Sequence, residues 1–64
     1  MKRKELKNIA KQIAKNERII QTTDDKNLRH EAENAIIQLS GKVESLTDIM
    51  ELDELIQEYL AEET

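Results

Sequence analysis

Apolar residues recur along this chain at spacings of three and four and nowhere alternate, so the pattern is helical from end to end. At ~100° per residue counted from Leu6, the positions Leu6, Ile9, Ala10, Ile13 and Ile20 share one side. Ala14 lies at the edge of that stripe and Ile19 outside it. The stripe resumes at Leu28 and runs through Ala32, Ala35, Leu39, Val43 and Leu46, with Ile36 at its edge and Ile37 pointing away. Between the two lies Gln21-Thr22-Thr23-Asp24-Asp25, the best break in the chain. Thr and Asp side-chain oxygens accept the orphan N–H groups of a first turn, and acidic residues complement the positive end of a helix dipole. A helix is therefore predicted to restart near residue 24 or 25.

The end of that second helix is less sharply marked. Ser40-Gly41 offers a stop, because glycine is the usual residue just past a helix C-terminus, and Thr47-Asp48 offers a cap for a third helix. Against a stop, Leu39, Val43 and Leu46 keep the apolar phase through Gly41 without a slip, and an internal glycine costs only ~1 kcal/mol relative to alanine. The phase favours a helix that continues through Gly41 and leaves a kink near 45–48 open. Unbroken from 25 to 62, such a helix would run ~57 Å against ~28 Å for the first, too unequal to cover each other in one hairpin. The last segment makes the same point. Leu46, Ile49, Met50, Leu52, Leu55, Ile56, Tyr59 and Leu60 spread over roughly 220° of a helical wheel, where one neighbour needs a stripe of ~100°. A third helix, another chain, or both must cover the excess.

Composition narrows the means of stabilisation. A chain of 64 residues is one small domain, 1–64, and a monomer of this size buries only about 60% of its unfolded surface. It has no Cys for disulfides or thiolate metal sites, one His, no Phe or Trp, and Tyr59 as its single large aromatic. Oligomerisation is the remaining staple. The expectation is an all-α fold: a helical hairpin with a long or kinked second arm, three helices if the kink is a break, forming a helical bundle by self-association. Leu6, Ile9, Ile13, Ile20, Leu28, Leu39, Val43 and Leu46 are expected in the intrachain core. Leu52, Leu55, Ile56, Tyr59 and Leu60 are expected at the oligomer or partner interface.

Charge adds polarity to this picture. Residues 1–18 carry seven Lys/Arg against two Glu, whereas residues 44–64 carry eight Asp/Glu and no Lys or Arg. Lys4, Lys7, Lys11, Lys15 and Arg18 form a narrow arc opposite the first apolar stripe, and Glu44, Asp48, Glu51, Glu54, Glu58 and Glu62 fill the arc left by the last one. In a hairpin these arcs face solvent, meeting only at their edges, where the basic N-terminus approaches the acidic C-terminal end. Exposed pairs of that kind contribute about 0–1 kcal/mol each, so their main effect is on orientation and partner choice. Cations at one N-terminus and anions at one C-terminus also oppose the helix dipoles. The net charge of −4 argues against general attraction to nucleic acid or anionic membrane. Met1-Lys2-Arg3-Lys4 opens like a signal peptide, but no apolar run follows it, and no stretch approaches a membrane span. A cytoplasmic location is expected.

Little in the chain points to chemistry. His30 and Glu31 diverge by ~100° on a helix, and His30 with Glu33 supplies two ligands where a stable metal site needs three or four. There is no H-E-x-x-H, no Gly-rich phosphate loop and no Ca²⁺ loop, and Ser40 and Ser45 have no evident base. No metal, no cofactor and no catalytic residue is expected. Met50-Glu51-Leu52-Asp53-Glu54-Leu55-Ile56-Gln57-Glu58-Tyr59 resembles the characteristic stretch of the small helical-hairpin phosphatases that act on sporulation response regulators. That family places Ser-Gln where Ile49 and Met50 stand here; the resemblance covers about ten residues and implies a role for Asp53. The reading favoured by the residues themselves is a non-enzymatic protein–protein interaction or regulatory module that acts as a homo-oligomer. The alternatives are a small nucleic-acid-binding hairpin using the basic arc, and a small helical response-regulator phosphatase.

Overall fold

Three helices make up the chain in a computed structural model that describes residues 1–62: α1 (Arg3–Thr22), α2 (Lys26–Ser40) and α3 (Leu46–Glu62). Glu63, one of the acidic residues counted above, lies outside the described residues. The break between α1 and α2 falls where capping chemistry predicts. Thr23 is extended, and the Asp25 carboxylate accepts the N–H groups of Asn27 at 2.9 Å and Leu28 at 3.4 Å. Arg29 reaches back to donate to the Thr23 carbonyl at 3.1 Å, which ties the new helix to the turn that starts it.

The second break corrects the expected continuation through Gly41. α2 stops at Ser40, and the chain turns before Leu46. A left-handed glycine is not the cause, because Gly41 sits at φ −65° and ψ −17° and no described residue has positive φ. Instead the helix tightens. The Gly41 N–H donates to Ile37 O at 3.1 Å, then Lys42 donates to Leu39 O at 3.2 Å and Val43 to Ser40 O at 3.1 Å, a passage from i−4 to i−3 bonding. The chain then leaves the helical path before Leu46, and α3 begins its own ladder with the Ile49 N–H on Ser45 O at 2.9 Å. The tertiary cause is burial. The turn puts Val43 in the core and folds Leu52, Leu55 and Ile56 back with it. Burying each such side chain is worth about 1.5–3 kcal/mol, against about 1 kcal/mol for each helical hydrogen bond forgone.

α1 is the middle of the molecule. It packs against both α2 and α3, while no Cα of α2 comes within 8 Å of one in α3. Its stripe of Leu6, Ile9, Ala10 and Ile13 forms the core with Val43, Leu52, Leu55 and Ile56, and Ile36, Leu39, Tyr59 and Leu60 close the edges. Ala10 and Ala14 of α1 and Ala32 of α2 are buried as well, small residues of the kind that let helix backbones approach closely. The described residues extend 34 × 24 × 16 Å.

Two parts of the expected core assignment are thereby corrected. Leu52, Leu55 and Ile56, expected at an interface, are buried within the chain, each at most 8% exposed, because α3 lays them against α1. Tyr59 and Leu60 are half-buried along the same contact. Conversely Leu46 is 73% exposed and Leu28 41% exposed, and Ile20 is only half-buried. Leu46 was placed in the core by the continuous phase, which the turn at Glu44-Ser45 interrupts.

Helix direction is also settled. Arg3 pairs with Glu51, Lys11 lies over Tyr59 and Arg18 reaches Leu60, so partners climb both helices together and α3 runs parallel to α1. The basic N-terminus therefore meets the start of α3 and not its acidic C-terminal end. If α1 holds the fold together, Ile13→Ala should lower the unfolding free energy by ~2–5 kcal/mol, whereas the cap deletion Asp25→Ala should cost ~1 kcal/mol. Urea unfolding followed by circular dichroism measures both, and equal losses would remove α1 from its central place.

Candidate interaction surface

α3 carries two adjacent apolar arcs with different fates. By the 3.6-residue period, Leu52, Leu55, Ile56 and Tyr59 span about 100° and face α1. Leu46, Ile49 and Met50 occupy the next ~100° and are 73%, 44% and 63% exposed; half-buried Leu60 shares that second arc at the far end of the helix. The roughly 220° stripe thus divides into a covered half and an uncovered half. Exposed Asp53 and Gln57 continue the uncovered arc towards the C-terminus, so its apolar part is confined to the first turns of α3, beside the 41–45 connection. Ile37, also exposed, lies near the end of α2 that leads into the same connection.

The basic arc is well formed. Lys4, Lys7, Lys11 and Lys15 are exposed along one side of α1, and shallow depressions run between Lys4, Lys7, Asn8 and Lys11 and between Lys11, Lys15, Tyr59 and Glu62. Two members of the arc are engaged by α3. The Lys11 ammonium sits 5.6 Å from the centroid of the Tyr59 ring, and the half-buried Arg18 donates from Nη2 to the Leu60 carbonyl at 2.6 Å. That carbonyl belongs to the last turn of α3, where a cation complements the negative end of the helix dipole. The opposite end has a matching arrangement: Arg3 donates to Glu51 at 2.8 Å, and the Met1 amino group donates to Asp48 at 3.2 Å. Carboxylates on the first turns of α3 stand beside the crowded cations at the start of α1, so the expected meeting of basic and acidic edges occurs at the opposite end of α3.

The remaining candidates stay apart. His30 and Glu33 are exposed on α2, and no group of three or more His, Cys, Asp or Glu among the described residues is placed to hold a metal ion. Asp53 is exposed on α3, and no helix among the described residues is long and apolar enough to cross a membrane. Compared with known proteins, the chain matches no family model, no curated protein and no solved structure. The resemblance of residues 50–59 to the sporulation phosphatases thus rests on those residues alone.

The division of α3 makes opposite expectations for neighbouring leucines. Leu55→Asp should abolish helicity at moderate temperature, because it places a charge in a core that offers no partner. Leu46→Asp should leave the unfolding free energy of the isolated chain within ~0.5 kcal/mol of the parent. Thermal melts of the two variants check this directly.

Proposed function

We propose that this chain is a non-enzymatic protein–protein interaction module that works as a homo-oligomer and makes contact through the apolar start of α3. One observation carries the reading: Leu46, Ile49 and Met50 stand uncovered side by side on a small molecule with an otherwise strongly charged surface. Contiguous apolar surface of this kind is costly to leave in water and marks contact sites on small proteins. Self-association is the simplest way to cover it in a chain whose own core is this small. The basic and acidic arcs on either side then select orientation, with little effect on affinity.

Sedimentation equilibrium over a wide concentration range tests the proposal. The parent chain should run as a dimer or larger assembly, and Leu46→Asp/Met50→Asp should shift it to a monomer of unchanged helicity. A parent chain that stays monomeric at every concentration would sink the reading.

A nucleic-acid module stands second, supported by the exposed row Lys4, Lys7, Lys11 and Lys15. Phosphates could follow that row, but the only aromatic, Tyr59, is already engaged by Lys11, and α3 places carboxylates alongside. Salt-sensitive binding to duplex or hairpin RNA, lost on Lys7→Glu/Lys11→Glu, would promote it over the first reading.

A further inference from the structure

Two of the three residues left uncovered on α3, Leu46 and Met50, continue the apolar stripe of α2. Counted as one helix through the connection, Leu28, Ala32, Ala35, Leu39, Val43, Leu46 and Met50 fall within about 80° of one another. The side chains that α3 does bury, Leu52, Leu55 and Ile56, lie on the other flank of such a helix. The chain therefore carries two sets of apolar positions: one is completed by the turn at 44–45, the other by a helix with no turn at all.

The connection is close to helical already. Gly41 has right-handed dihedrals, and a Cβ built there meets Ile37 O at 3.4 Å and Gln38 O at 3.5 Å, ordinary van der Waals distances. Backbone bonds of helical sense persist to the Val43 N–H, so the change falls on the short stretch between there and Leu46. Among the described residues no side-chain hydrogen bond caps the start of α3, unlike the two that Asp25 accepts at the start of α2. Straightening therefore forfeits no cap. No Cα of α2 lies within 8 Å of one in α3, so what straightening chiefly detaches is α3 from α1.

From these features we infer that two copies of this chain exchange α3, each α2 and α3 joining into one helix across residues 41–45 and each α3 seating on the other copy's α1. The occupant fits by charge as well as by shape. α3 carries no Lys or Arg and α1 carries the basic arc, so the Arg3–Glu51 pair, the Lys11–Tyr59 contact and the Arg18–Leu60 hydrogen bond form between copies as they form within one. Where the two long helices cross near the hinge, Leu46 and Met50 are covered together with Val43. The inference rests on the self-association proposed above and specifies its mode.

A crosslinking experiment separates the two. The chain has no Cys, so Arg3→Cys/Glu51→Cys places a unique thiol pair at the α1–α3 contact, to be bridged with a short bismaleimide. Exchange predicts an assembly in solution that runs as a covalent dimer on a denaturing gel. An assembly in solution that runs as a crosslinked monomer overturns the exchange and leaves self-association standing, and a monomer in both measurements overturns both. Gly41→Ala, with two hinges per dimer each moved towards a helix interior, should tighten the dimer by about tenfold. Leu46→Pro should abolish it, because proline is tolerated at the first position of α3 but not inside a continuous helix. A dimer that survives Leu46→Pro at parental affinity would overturn the exchange.

Discussion

Everything in this fold depends on the apolar stripe of α1, the one helix that touches both others. Leu6, Ile9, Ala10 and Ile13 lie on the broad face that α2 and α3 share. With no Cα of α2 within 8 Å of one in α3, each is held mainly through that face and through the turn at its end. Such a molecule gains little from cooperation between its flanking helices. Loss of one α1 side chain is felt on both sides, whereas loss of an α2 or α3 side chain is felt on one. Small residues sharpen the constraint. Ala10 and Ala14 are nearly inaccessible, so α1 has no room for a larger side chain where its neighbours approach.

Much of this was legible in the residues. The helical class, the stripe of α1, its basic back and the cap at Asp25 followed from periodicity and from the chemistry of orphan N–H groups. The halves of α3 were not legible. A helical wheel shows that a 220° stripe needs more than one neighbour, but not which half a given neighbour takes. The burial of Leu52, Leu55 and Ile56 within the chain was hidden because the apolar phase through Gly41 favours a continuous helix, which would hold them away from their own α1. Local signals at 41–45 are nearly balanced, with no proline, no left-handed residue and no strong cap. Burial of the far end of α3 decided the turn, and burial is a property of the whole chain. The surface patch was hidden for the same reason: Leu46 looks like core in sequence and becomes surface only after the turn is made.

The charge pattern acquires a purpose once helix direction is known. Cations at the start of α1 oppose its dipole, and the acidic last turn of α3 opposes its own. Parallel packing relieves both at once. Glu51 stands beside Arg3 at one end, and Arg18 reaches the Leu60 carbonyl at the other. Each exposed pair is weak, and together they act on the orientation of α3 along α1 more than on the strength of its attachment. Orientation encoded by charge, separately from affinity encoded by burial, does not distinguish an α3 on the same chain from an α3 on another. A chain built this way has its contact between copies specified by the same residues that specify its fold, and the 41–45 connection alone chooses between the two.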